Sequence, residues 1–196
     1  MNIGVFGGAF NPPHNGHVQT VTLASKFFDE VWVSPCYSHT LGKHLENNQA
    51  RLEMTKLAFD GLFKIKITDF EIKYQISQGT LESIRVLKRL HPRNKFTVII
   101  GQDNADIIYK WKNATKLIEE VPFMVIPRKG YNRNFNDTAW YVLNHHQYLR
   151  DVPAALEIME YSSTDARNEI SAGKKPNNLP DKVYQYIRNH NLYEKF

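Results

Sequence analysis

A single cysteine, Cys36, stands among the 196 residues of this chain. One thiol cannot form an internal disulfide, and it gives none of the repeated Cys or His spacings of a zinc site. No apolar run approaches the roughly 20 residues needed to cross a bilayer. A basic leader followed by a long apolar stretch and a small-residue cleavage site is also missing from the N-terminus, so the expected compartment is the cytoplasm. Lys and Arg outnumber Asp and Glu by 25 to 20, a net +5, yet the excess gathers in no tract. A nucleic-acid partner would call for a basic patch on a recognisable module, and a membrane surface for a basic amphipathic stretch. A small anionic substrate accounts for the balance more simply. Two common phosphate signatures are absent as well: neither G-x-G-x-x-G nor a closing Gly-Lys-Ser/Thr occurs. Nothing repeats, and no linker or low-complexity tract divides the chain, so residues 1–196 are expected to form one domain. With 42% hydrophobic and 23% charged residues it can bury a sizeable core.

What is present alternates. Strands are expected at Asn2–Phe6, Glu30–Pro35, Ile65–Phe70, Phe96–Ile100, Val121–Arg128 and Leu156–Met159. Helical spacing covers Val18–Phe28, Gln49–Phe59 and Thr80–Leu90, the last followed by Pro92. A helix over 163–172 can be capped by Ser163 or Thr164 and ended by Gly173, and a terminal helix starts at Pro180. Cys36 to Asn48 reads as a polar loop, and Tyr131 to Val152 as an irregular excursion with a short helix at 138–144. Strands alternating with helices of this length predict an α/β fold: a mostly parallel, Rossmann-like sheet with helices on both faces and helices at the C-terminal end. Ligands of such sheets sit beyond the carboxyl ends of the strands.

The stretch Gly7-Gly8-Ala9-Phe10-Asn11-Pro12-Pro13-His14-Asn15-Gly16-His17 lies between the first strand and the first helix. Glycines there let the backbone approach an anion closely. The unpaired N–H groups of the helix's first turn point at the same place. His14 and His17 add donors that hold a phosphate oxygen whether neutral or charged. A second strand-to-helix turn, Ser162-Ser163-Thr164-Asp165-Ala166-Arg167, offers hydroxyls, free N–H groups and an arginine one turn in, which is another anion cradle. Asp103, after the strand at 96–100, suits a pair of ribose hydroxyls because a carboxylate accepts two hydrogen bonds.

The first of these stretches resembles the signature of the nucleotidylyltransferase superfamily, with its H-x-G-H element at His14–His17. Its Phe-Asn-Pro-Pro form is similar to the nicotinate and nicotinamide mononucleotide adenylyltransferases. Ser-Ser-Thr-x-x-Arg resembles that family's second signature. Arg51-Leu52-Glu53-Met54, Gly101-Gln102-Asp103, Trp111, Pro127-Arg128-Lys129-Gly130 and Tyr186 to Tyr193 also look like it, so the likeness spans essentially the whole chain.

The resemblance implies a nucleotidyltransferase of NAD biosynthesis. It would join the adenylyl group of ATP to a pyridine mononucleotide and release pyrophosphate, with Mg²⁺ carried by ATP and no protein ligand set for it. His14 and His17 would be catalytic. The ATP side would comprise Gly7, Gly8, Phe10, Gly16, Gly101, Asp103, Ser162, Ser163, Thr164 and Arg167. The mononucleotide side would comprise Asn11, Lys43, Thr80, Trp111, Lys112 and Arg128. Where the bacterial nicotinate enzymes tend to have Ser-Tyr-Thr this chain has Gln78-Gly79-Thr80, and Lys112 stands where an aromatic often follows the tryptophan. A negatively charged pyridine substituent needs donors. Thr80, the backbone at Gly79 and Lys112 can supply them, which favours nicotinate mononucleotide. The alternatives are the nicotinamide form, a different acceptor such as phosphopantetheine or a polyol phosphate, and a nucleotide-binding regulator without turnover. The sequence leaves open whether the chain is a homo-oligomer.

Overall fold

A computed structural model describes residues 1–38, 45–127, 147–148 and 161–194, with 147–148 described as backbone only. Six parallel strands form one sheet: β1 Asn2–Gly8, β2 Glu30–Pro35, β3 Ile65–Ile67, β4 Lys95–Gly101, β5 Phe123–Ile126 and the two-residue β6 Gln147–Tyr148. Their order across the sheet is β3-β2-β1-β4-β5-β6. The chain moves outward from β1 to β3, then returns to the far side of β1 with β4. That reversal places a topological switch point between β1 and β4, and parallel pairing puts every strand's carboxyl end on one edge.

Eight α-helices accompany the strands among the described residues: α1 Asn15–Ala24, α2 Asn48–Ala58, α3 Phe70–Lys73, α4 Thr80–Leu90, α5 Gln102–Asp106, α6 Ala114–Glu120, α7 Ser163–Ser171 and α8 Asp181–Asn189. Strand residues alternate between two cores, as pleating requires. On one face Phe6, Val31, Val33, Ile99, Met124 and Ile126 meet α1, α2, α7 and α8. On the other, Ile3, Val5, Trp32, Val98, Ile100, Phe123 and Val125 meet α3, α4, α5 and α6. Burial on both faces explains why β1, β4 and β5 read as near-continuous apolar runs.

Several expected boundaries shift. The first helix stops at Ala24 with Ser25 as its C-cap rather than running to Phe28, and Phe27 is left exposed. The third strand ends at Ile67, because Phe70 turns into α3 and plugs the core beneath α4. The fifth strand is Phe123–Ile126, shorter than the apolar run that announced it. The segment 156–159 expected as a last strand and the short helix at 138–144 lie outside the described residues. Gly173 does end the helix before it, with φ +72 and its N–H bonded to Ile170 O at 2.8 Å.

Gly4 of β1 faces neighbours that leave no space for a side chain. A Cβ there would sit 2.6 Å from Ile99 Cδ1 and 2.7 Å from the Phe28 ring, both of which are buried. Neither neighbour has room to withdraw. Gly4→Ala is therefore expected to destabilise the fold by about 1–3 kcal/mol, the scale of overpacking a filled core. Urea unfolding midpoints compared at equal slope measure it, and an unchanged midpoint would mean that the layer yields.

Candidate active site

β1 delivers Gly7 and Gly8 to the carboxyl edge beside the switch point, and the chain then folds back on itself before α1. Phe10 sits at φ 46 and is 1% exposed, so a bulky residue is held in a left-handed conformation that few side chains adopt. Its ring fills the space over Gly8, where a Cβ would stand 3.1 Å from Phe10 Cζ. The same ring meets the edge of His17 at 5.1 Å between centroids and that of Phe59 at 6.2 Å. The Asn11–Pro12 peptide is cis. His14 is the N-cap of α1, and the His14 and His17 rings stack at 3.6 Å.

The backbone N–H of His14 donates to His17 Nδ1 at 3.1 Å. A nitrogen that accepts carries no proton, so the neutral His17 ring holds its proton on Nε2. Packing by Phe10 and this bond fix the ring as a donor through Nε2. Gly16 is needed beside it, since a Cβ would press within 3.1 Å of His14 Nδ1.

The second cradle docks on the first. Ser162, not Ser163 or Thr164, caps α7: its Oγ accepts from the N–H groups of Thr164 at 3.1 Å and Asp165 at 3.4 Å. The other two hydroxyls are engaged elsewhere. Ser163 Oγ donates to Pro12 O at 2.8 Å, and Thr164 Oγ1 accepts from Arg167 Nη2 at 3.2 Å. Arg167 Nη1 donates to Asn11 O at 2.7 Å. Asn178 joins the two helix starts, accepting from Asn15 N–H at 2.8 Å through its carbonyl and donating to Ser162 O at 3.2 Å. Asn11 is the knot: it is buried, and its Oδ1 accepts from Glu46 N–H at 3.1 Å and from the Tyr193 hydroxyl at 2.8 Å. Asn11 therefore braces the loop, and its side-chain oxygen faces protein donors.

Beneath the knot lies Arg51, fully buried. Its guanidinium donates to Glu46 O at 3.0 Å, Ala9 O at 2.7 Å, Cys36 O at 2.6 Å and Asn48 Oδ1. Sequence reading placed Arg51 only as part of a helix. Its burial arises because carbonyls from the loop after β1 and from both ends of the β2–α2 loop converge on it, which no local pattern announces. Cys36 is nearby, its thiol pushed up to about 11 by burial, with the Arg51 charge opposing the shift. It stays a thiol at neutral pH and is no nucleophile.

β4 brings Gly101 and Asp103 to the other side of the switch point. Asp103 folds back over the strand end, so that a Cβ on Gly101 would lie 2.6 Å from Asp103 Oδ1. Glycine here makes room for the carboxylate. Thr80 opens α4 after Gly79, whose φ of +88 favours glycine. Trp111 is half-buried against the core on the α4–α6 face, so it combines a packing role with a partly open one. Exposed Lys112 donates to Gln78 Oε1, bringing 111–112 alongside 78–80. Lys43 and Arg128 lie outside the described residues, as does most of 131–152. Among the described residues no three His, Cys, Asp or Glu side chains cluster closely enough to hold a metal ion, and no helix is long and apolar enough to cross a membrane.

Residues 5–169 match the cytidylyltransferase-like family model. The chain is 33% identical to the probable nicotinate-nucleotide adenylyltransferase of Salinibacter ruber over 98% of both chains, and 33% identical to that of Flavobacterium johnsoniae over the full length of both. It is 31% identical to the nicotinate-nucleotide adenylyltransferase of Bacillus subtilis, over 98% of each. The fold is similar to that of Plasmodium falciparum nicotinic acid mononucleotide adenylyltransferase solved with NaAD, with a TM-score of 0.84 at 23% identity, covering 98% of this chain and 97% of that one. Matched over most of its length by the family model and over essentially its whole length by these relatives, the chain belongs to the cytidylyltransferase-like family of nucleotidyltransferases, among the nicotinate-nucleotide adenylyltransferases.

Proposed function

We propose that this protein transfers the adenylyl group of ATP to nicotinate mononucleotide, giving the deamido dinucleotide and pyrophosphate in NAD biosynthesis. The observation that carries the reading is the joining of two helix N-termini, those of α1 and α7, through Asn11, Pro12 and Asn178. Two dipole ends with glycines, histidines, hydroxyls and an arginine between them suit a polyphosphate. Relatives named for this reaction cover the whole chain, which supports treating residues 1–196 as one catalytic domain. We take the compartment to be the cytoplasm.

A phosphate oxygen of the mononucleotide attacks the α-phosphorus of ATP. The new P–O bond forms as the bond to the β-phosphate bridging oxygen breaks, and pyrophosphate leaves with that electron pair. No protein nucleophile or base is needed, so catalysis is positioning plus charge stabilisation. His17 donates from Nε2 to the α-phosphate, and His14 and the Gly7–Gly8 backbone stand alongside, with Gly16 and Phe10 holding the rings in place. The hydroxyl protons of Ser162 and Thr164, the Ser163 N–H at the start of α7 and Arg167 take the β- and γ-phosphates, while the Ser163 hydroxyl holds Pro12 O. Mg²⁺ enters as part of MgATP, held by phosphates and water. Asp103 beside Gly101 takes ribose hydroxyls. On the mononucleotide side Thr80 and the Gly79 backbone meet the pyridine substituent, Trp111 stacks on the ring, and Asn11 shapes the floor. Arg128 is assigned to a nucleotide contact on the resemblance alone, and Lys43 to a phosphate as the favoured basic residue of a loop that departs from the family's Pro-His-Lys or Pro-His-Arg.

Pyrophosphate release from ATP with each mononucleotide tests the reading. Nicotinate mononucleotide should give the higher kcat/KM, and Lys112→Ala should narrow the gap by removing a nearby cation. A wild-type preference for the amide would reject the acceptor, and an unchanged ratio would reject the part given to Lys112.

For His17→Ala, kcat should fall by roughly 10²–10³-fold, the scale of losing one donor to the transition state. Steady-state kinetics on a variant with native circular dichroism decides it, and near-normal turnover would remove His17 from the chemistry.

Arg167→Ala should weaken ATP binding roughly tenfold or more, as expected for a charge-assisted bond lost to a phosphate. Mononucleotide affinity should hold. Isothermal titration with each ligand separates the two, with the thermal midpoint checked because the same guanidinium braces Asn11.

A further inference from the structure

Tyr193 follows α8 near the end of the chain, and the proposed reaction gives it no part. Its half-buried ring packs on the core shared by α1, α2, α7 and α8. The segment that carries it is anchored on both sides of the ring without the phenol. Leu192 packs on the same core and gives its N–H to Ile187 O at 3.0 Å, and Glu194 pairs with Arg188 at 2.6 Å. The hydroxyl instead leaves its own segment and donates to Asn11 Oδ1 at 2.8 Å. Burial holds the phenol well above the ordinary tyrosine range, with Glu46 adding to the shift and Arg167 and Arg51 opposing it, so it stays a donor. A phenylalanine ring would pack alike. What the hydroxyl serves is Asn11.

Asn11 stands where position is handed on to the histidines. Arg51 and Ser163 hold main-chain carbonyls on either side of it, those of Ala9 and Pro12, and Arg167 holds its own main-chain O. Its side-chain amide is gripped separately. The buried Oδ1 accepts from the Tyr193 hydroxyl and from Glu46 N–H at 3.1 Å, which uses both of its lone pairs. Phe10, just before it, is a bulky residue at φ 46, a conformation that persists only where its surroundings over-determine it. Pro12 and Pro13 come just after, and their rings hold φ at about −65°, so little slack is left between Asn11 and His14. A shift at Asn11 therefore reaches the His14 ring, which stacks on His17 at 3.6 Å.

We propose that Tyr193 is a positioning residue for the histidine pair: its hydroxyl fixes the Asn11 amide and, through the two prolines, the place of His14 and of the His17 ring stacked on it. The proposal rests on the reaction proposed above. Without the hydroxyl, one lone pair of a buried oxygen loses its donor, and the amide can turn. The main-chain bonds from Arg51, Arg167 and Ser163 still hold the loop, so the loss falls on alignment and not on the fold. Alignment of transition-state donors counts more in the transition state than in the ground state. Its loss therefore lowers kcat and spares KM.

The test uses Tyr193→Phe in the full chain. kcat should fall roughly tenfold, as for a fraction of an ångström of misplacement at the reacting centre, with KM for ATP and for the mononucleotide within about threefold of wild type. In an Asn11→Ala background the same substitution should cost less than about twofold, because its route is gone. A normal kcat with only a lowered thermal midpoint would mean that the hydroxyl serves stability alone and would overturn the proposal. So would the same tenfold loss in both backgrounds. A second arm needs no substrate: the imidazole nitrogen resonances of His14 and His17 should shift in Tyr193→Phe. Those of His91, which meets Trp32 on the opposite face of the sheet, should stay. Resonances of the pair indifferent to the hydroxyl would overturn the coupling. If the wild type turned over neither mononucleotide while those resonances moved, the brace would stand and the proposed reaction would fall.

Discussion

A buried guanidinium holds the site's loops together. Burying a charge is costly unless every donor finds a partner. Arg51 comes close to that condition, placing four of its five N–H donors on three backbone carbonyls and one side-chain amide oxygen, contributed by the loop after β1, the end of β2 and the entry to α2. Three carbonyl dipoles aimed at a common point would repel one another without a cation between them. The charge therefore does more than fill the gap: it makes the convergence of those loops favourable. A lysine carries the same charge but lacks the planar fork that spans the three directions.

On that base the two helix N-termini become one feature. Ser163, Arg167 and Asn178 each reach across to the loop preceding α1, or to its first residue, and each contact is made to backbone. Backbone contacts fix the path of a loop without depending on the loop's own side chains. The rings of His14 and His17 are then oriented by a stack, an aromatic edge and one main-chain bond. Under the proposed reaction little rearrangement would be left when the phosphates bind, which is the condition under which fixed dipoles stabilise charge most effectively.

Much of this was legible in the residues. α4 occupies the span its apolar spacing and trailing Pro92 indicated, because periodicity, cap and stop agree there. β4 was equally plain, since a strand buried on both faces leaves an unbroken apolar run. The alternation at 65–70 misled because Phe70 is buried by a turn into α3 and not by a pleat. α5 escaped notice: five polar-rich residues carry no period. The cap of α7 could not be chosen among three hydroxyl residues in a row. Only the docking of Ser163 on Pro12 and of Arg167 on Thr164 leaves the role to Ser162. Arg51 was silent because three of its partners are backbone carbonyls of loops, brought to it by the fold and by no spacing in the sequence.

The hydrogen bond from Tyr193 to Asn11 joins residues 182 positions apart. At the usual 5–20 residues per second, the last brace of the glycine loop is synthesised on the order of ten to forty seconds after the loop itself. The strands β1 to β4 pair from residues already present, so a nascent chain can hold most of the sheet while this loop still lacks Ser163, Arg167, Asn178 and Tyr193. The loop that carries both histidines is in this sense braced late, by residues made long after its own.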